Sequence, residues 1–276
     1  MIPGDAMSEN VHPTGHTLIR DDEEFERMSL CERLQHGVLV SSFITLVLTG
    51  LPVFLYQLPL FSWAFTSEYA FWFRGIIHRS AAIGLIGVSV FHAFWVVFTK
   101  RGRKTFMALM LQGKDITDAF ESLMHNLGLT AWLYSKGKFV KYFQAHPNFL
   151  FLSPPRYGRY NFIEKFEYLA VIWGNIVMIA TGFMLWYPVL AASLFPLWVL
   201  DVLRIMHGFE AMLAMLSIAI WHMYNVHLNP EVFPMNTVWL TGKIGGHELR
   251  TLHPLEYEQI AAERQTRLSP GALKEA

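Results

Sequence analysis

Four long apolar runs fix most of what this chain can become. They lie near residues 34–56, 73–98, 166–187 and 201–226, and each is long enough to cross a hydrocarbon core of about 30 Å, which takes about 20 helical residues. Inside lipid every backbone N–H and C=O has to be satisfied within the segment, so runs of this length fold as helices. With 53% hydrophobic and only 16% charged residues, the chain holds more apolar surface than a soluble domain of 276 residues can hide. The expected fold class is all-α, an integral membrane four-helix bundle.

The charges between the runs give that bundle a direction. The connection between the second and third runs carries Lys100, Arg101, Arg103, Lys104, Lys114, Lys136, Lys138, Lys141, Arg156 and Arg159. The segments near 57–72 and 188–200 have no lysine or arginine and are rich in aromatic residues and proline, notably Trp63, Trp72, Pro188, Pro196 and Trp198. The positive-inside rule then makes the basic connection, about 99–163, cytoplasmic, and with four crossings both termini are cytoplasmic too. Trp95, Trp173, Trp186 and Trp221 are expected at the membrane interfaces. The division expected is a polar N-terminal segment (1–30), a four-span domain (31–230) and a cytoplasmic C-terminal tail (231–276), with an amphipathic helix near Asp115–Leu133 in the inner connection and no internal repeat. The segment up to Cys31 is polar and lacks a small-residue cleavage pattern, so a removable signal peptide is not expected. Zero net charge argues against a nucleic-acid partner.

Five histidines lie in these apolar stretches: His36, His78, His92, His207 and His222. Ionisable side chains are costly in a bilayer and mark a pathway or a ligand. His78 and His92 are fourteen residues apart, and His207 and His222 fifteen. At about 100° and ~1.5 Å per residue, such steps return to within about 60° of one face and separate the imidazoles by about 21 to 23 Å along the helix. The second and fourth spans run parallel, so His78 and His207 share the outer level while His92 and His222 share the inner one. His36 opens the first span, which runs the opposite way, and also falls at the inner level. Two tiers of imidazole point to bis-histidine haem, and one cysteine excludes a Cys-x-x-Cys-His attachment, leaving non-covalent haem b. Small residues sharing the ligand faces (Ala82 and Ser89 on the second span, Ala211 and Ala214 on the fourth) leave room for a macrocycle or, on the plainer alternative, for helix–helix contact. Gly50, fourteen residues after His36, is expected to admit a flat ring to the backbone. His227 reads as interfacial, His125, His146, His247 and His253 read as solvated, and His12 and His16 fall in the N-terminal segment.

Glu32-Arg33-Leu34-Gln35-His36 with Thr49-Gly50-Leu51, Ile77-His78-Arg79, Tyr160-Asn161 with Glu164-Lys165, and Met206-His207-Gly208-Phe209 with Trp221-His222 together resemble the membrane cytochrome b subunits of quinone-linked respiratory enzymes: the formate dehydrogenase gamma subunit, nickel–iron hydrogenase cytochrome b and thiosulfate reductase cytochrome b. The C-terminal string from Asn225 to Asn236, followed by Trp239 to Lys243, looks like members that work with multihaem cytochromes or iron–sulfur partners. The resemblance implies that His78 and His207 hold the outer haem and that His36 and His222 hold the inner one. It also implies a menaquinone or ubiquinone site near Asn161. Helix geometry alone allows His92 in place of His36 as the partner of His222, as in the cytochrome b of cytochrome bc complexes, and leaves room for a third haem. The fifteen-residue interval in the fourth span departs from the fourteen of the formate dehydrogenase form.

The expected function is a di-haem b-type cytochrome of the bacterial inner membrane. It would carry electrons between a periplasmic iron–sulfur or multihaem cytochrome c partner and the quinone pool. It would act as the quinone-reactive subunit of a respiratory oxidoreductase, with no catalytic side chains of its own. The competing classes are a histidine-lined metal transporter, which calls for buried carboxylates the spans supply poorly apart from Glu210, and a non-redox membrane anchor.

Overall fold

The computed structural model describes residues 19–59, 61 and 67–268, so His12, His16 and Trp63 lie outside the described residues. The described residues are 78% helical. Its helices are α1 (Leu30–Phe54), α2 (Glu68–Phe98), α3 (Lys100–Leu109), α4 (Gly113–Leu127), α5 (Leu129–Ser135), α6 (Val140–Ala145), α7 (Phe162–Trp186), α8 (Pro188–Leu194), α9 (Leu197–Leu216), α10 (Val238–Thr241), α11 (Gly246–Leu252) and α12 (Pro254–Leu268). Four are long and apolar enough to cross a membrane: α1, α2, α7 and α9, the last continuing to Leu228. The fold is an all-α, multi-pass membrane bundle.

The spans begin a turn or so earlier than the apolar runs because capping residues sit in the polar flank. Ser29 accepts from the Glu32 backbone N–H while the Glu32 side chain accepts from the Ser29 N–H, and Asn161 and Glu164 make the same reciprocal pair at the start of α7. Each pair satisfies backbone donors that a helix start leaves open, and a cap of this kind is worth about 1 kcal/mol. Ser67 starts α2 by accepting from Ala70 N at 3.1 Å.

α1 packs along α2 and α7 along α9, two hairpins joined mainly where α1 meets α9. At that junction Gly208 is buried under Phe54, and Phe54 meets Phe209 edge-on with ring centroids 5.3 Å apart. Only 6–11% of the apolar window of each span is buried within the protein, so most of its side-chain surface faces lipid or the bundle interior. Trp173 sits in mid-span and faces outward, 65% exposed, whereas Trp95 turns inward and packs on His92 with ring centroids 5.7 Å apart. Trp173 therefore departs from the interfacial placement expected of it, whereas Trp95 lies in the last turn of α2 and differs only in facing inward.

At the basic end, the amphipathic segment is broken in two by left-handed Gly128, which ends α4 before α5. A buried ion pair from Lys165 Nζ to both Asp115 oxygens, at 2.8 and 2.9 Å, pins α4 to α7. The residues flanking the bundle come together there. Strand β1 (Glu24–Glu26) pairs antiparallel with β2 (Lys243–Gly245), and Ile19, Ile244 and Leu249 form a small core beneath them. Arg27 is buried, donates to Glu256 at 2.6 Å and to the Arg159 carbonyl, and contacts His253 Nε2 at 3.0 Å. His253 is thus buried in this cap rather than solvated, because it fills the space between Arg27 and the Gly158 carbonyl.

Candidate functional site

All five intramembrane histidines are half-buried, and hydrogen bonds orient the rings of His78, His92, His207 and His222. His78 Nδ1 lies 2.9 Å from Thr49 Oγ1 on α1. The Thr49 hydroxyl already gives its single proton to the Thr45 carbonyl at 2.6 Å, so in this contact Nδ1–H donates and Thr49 accepts. His207 repeats the arrangement in the other hairpin. Its Nδ1 lies 2.8 Å from Thr181 Oγ1, which donates to the Val177 carbonyl at 2.7 Å. In both cases the proton sits on Nδ1 and the Nε2 lone pair is open, the tautomer that iron ligation requires.

The residue after each threonine is glycine. A Cβ on Gly50 would come 3.0 Å from His78 Cε1, and one on Gly182 would come 3.1 Å from His207 Cε1. The ring that Gly50 admits is therefore the imidazole of His78 rather than a macrocycle. Thr-Gly on one helix cradling histidine on the next occurs twice, once per hairpin, a local repeat that reading along the chain does not reveal. His78 and His207 lie within electrostatic range of each other at one level.

At the other level His222 Nδ1 donates to Glu167 Oε2 at 2.9 Å. A carboxylate only accepts, so here too Nε2 is the open nitrogen. Glu167 is a half-buried carboxylate that sequence reasoning passed over, because it lies only three residues after the cap residue Glu164, at the polar start of the third span. His36 lies within electrostatic range of His222, its Nδ1 is buried without a hydrogen-bond partner, and Trp239 stands beside its ring with centroids 6.0 Å apart.

His92 is placed differently. Its Nδ1 meets Gln35 Oε1 at 2.8 Å and its Nε2 meets Tyr168 OH at 2.8 Å, so both ring nitrogens are engaged and the side chain clamps α1, α2 and α7 together. The Glu32 to His36 motif now resolves into separate tasks. Glu32 caps α1 and accepts from Arg101, Arg33 donates to the Thr241 carbonyl at 3.2 Å, Gln35 holds His92, and His36 lies at the level of His222.

The residues suit haem b, a planar apolar ring with two carboxylate arms. Arg33, three residues before His36, and Arg74, four before His78, each bury an Nε that has no partner. A buried guanidinium nitrogen left unpaired is expensive, and a propionate is the counter-group such a position fits. Arg74 Nη1 is otherwise spent on the Thr49 carbonyl at 2.7 Å. Among the described residues no group of three histidine, cysteine, aspartate or glutamate side chains converges on a point.

Asn161 Oδ1 accepts from the Glu164 N–H at 2.8 Å as the cap of α7, leaving its amide Nδ2 uncommitted by that bond. Beside it lies a cavity of about 120 Å³ lined by Arg27, Tyr160, Glu164, Asn236 and His253 among others. At that size the space falls below the roughly 300 Å³ at which small-molecule pockets begin.

The sequence model of the prokaryotic cytochrome b561 family matches residues 27–233, three-quarters of the chain and all four spans. No curated protein matches the chain. The chain belongs to the prokaryotic cytochrome b561 family, membrane proteins that bind haem b and transfer electrons.

Proposed function

From that membership, we propose that this cytochrome holds two b haems, one per histidine tier, and carries electrons across the membrane between a partner redox subunit and the quinone pool. The observation that carries the reading is the pairing of histidines from different helices, with each Nδ1 that has a partner turned to an acceptor and Nε2 left open. His78 and His207 would hold the outer haem, and His36 and His222 the inner one. Haem b supplies a one-electron iron couple. The engagement of both His92 nitrogens favours His36 as the fourth ligand and two haems rather than three.

The basic end bears the cap and the Lys- and Arg-rich connection, and we read it as cytoplasmic by the positive-inside rule. Residues 31–230 then form the haem-carrying unit, while the flanking segments 1–30 and 231–276 lie on the cytoplasmic side. The aromatic end presents Tyr69, Val189, Leu197 and Trp198, all exposed, near the outer tier. That end would receive an iron–sulfur or multihaem cytochrome c partner. Quinone would approach from lipid near Asn161, whose Nδ2 can donate to a quinone carbonyl. Asn161→Asp tests this, because aspartate keeps the capping acceptor and removes the donor. The variant should fold and retain its haems while the KM for quinone rises several-fold, and an unchanged KM would remove Asn161 from the site.

The two-haem reading is tested on the purified protein by the pyridine haemochrome. About two haems per chain are expected, all extractable by acid acetone, and a colourless preparation from haem-replete cells would end the proposal.

A further inference from the structure

The two tiers differ in what accepts the ligand protons, and that difference has a chemical consequence. In the outer tier both Nδ1–H groups are received by neutral hydroxyls, Thr49 at 2.9 Å and Thr181 at 2.8 Å. In the inner tier His36 Nδ1 has no partner, and His222 Nδ1 is received by the Glu167 carboxylate at 2.9 Å. The second oxygen of that carboxylate, Oε1, is buried and also has no partner, so no cation or donor draws its charge away from the imidazole.

We propose that Glu167 is a positioning residue that lowers the potential of the inner haem below the value a neutral acceptor would give. The proposal rests on the reading of His222 as an inner-haem ligand. A charge-assisted hydrogen bond is shorter and stronger than a neutral one and pulls the Nδ1 proton toward the carboxylate. The imidazole gains anionic character and becomes a better donor through Nε2, which favours ferric over ferrous iron. The negative charge held in a medium of low dielectric acts in the same direction, since it stabilises the more positive oxidation state. Thr49 and Thr181 cannot do this. Their hydroxyls fix the tautomer but bring no charge, and each already spends its proton on its own helix. The sequence therefore builds one ligand shell twice with Thr-Gly and once with glutamate, and only the latter can make the two haems electrochemically unequal through the ligands' hydrogen bonds.

The test is a spectroscopically resolved redox titration of the full haem-loaded protein beside Glu167→Gln, which keeps an acceptor of the same shape and removes the charge. Both haems should remain, the inner midpoint should rise, and the outer midpoint should stay where it was. An inner midpoint that does not move while both haems are retained would overturn the proposal. If Glu167→Gln fails to assemble, the unsubstituted protein still decides by electron paramagnetic resonance. The inner low-spin signal should report the larger tetragonal splitting, as expected of imidazolate character, and equal splittings for the two haems would overturn the proposal. His222→Ala separates this from the underlying assignment, because an inner haem that survives in that variant removes His222 as ligand, whatever Glu167 does.

Discussion

At the scale of single residues, the histidines were legible because an ionisable group in an apolar run has few reasons to be there. Their partners were not. Thr49 is 29 residues from His78, Thr181 is 26 from His207, and Glu167 is 55 from His222, separations that carry no periodic signal and arise only when two helices pack. The same limit left helix geometry unable to separate His36 from His92, a choice only the resemblance made, and the Gln35 and Tyr168 contacts of His92 now favour His36 as well. If His78 and His207 share an iron, His78→Ala and His207→Ala should each delete the same midpoint component in a redox titration, and loss of different components would refute the pairing. Gly182→Val places branched carbon where even a Cβ would come 3.1 Å from His207 Cε1. That variant should lower outer-haem occupancy and leave the inner spectrum intact, as read from haem content and the resolved optical bands.

At the scale of elements, run lengths gave the spans, and the caps at Ser29 and Asn161 moved their starts outward. The fourth span contains a feature that hydrophobicity cannot report. α9 continues as π-helical turns over Ser217–His222 and Tyr224–Leu228. Fifteen α-helical steps overshoot four turns by about 60°, and a wider i→i+5 turn takes up about one residue. The odd interval between His207 and His222 thus does the work of fourteen. The Lys165–Asp115 pair, read from sequence only as charges near a helix start, fastens the inner connection to the bundle. Breaking a buried pair from one side strands a charge, so Lys165→Ala should cost about 3 to 5 kcal/mol in detergent unfolding, and Lys165→Met with Asp115→Leu together should recover most of it. The cap carries a pH dependence through His253. Burial, then the nearby Arg27 charge, press its pKa down from 6.5 to about 4. The unfolded chain binds the proton first, so the cap is fully stable above pH about 6.5 and loses stability as pH falls toward 4, by on the order of 3 kcal/mol in all. Proteolysis of the C-terminal segment should rise across that window, and His253→Gln should flatten the rise.

At the scale of the whole molecule, four apolar runs gave the class, while the joining of the two flanking segments was invisible because β1 and β2 are three residues each and lie far apart in the chain. The account of the molecule rests on two tiers that place His36 and His222 at one level and His78 and His207 at the other. The measurement that tests it most directly is low-temperature electron paramagnetic resonance of the haem-loaded protein in three forms: unsubstituted, His36→Ala and His92→Ala. Two low-spin signals are expected in the unsubstituted protein. His36→Ala should lose the inner one, and His92→Ala should keep both. An inner signal that persists in His36→Ala and vanishes in His92→Ala would contradict the assignment and place the inner iron between α2 and the fourth span instead.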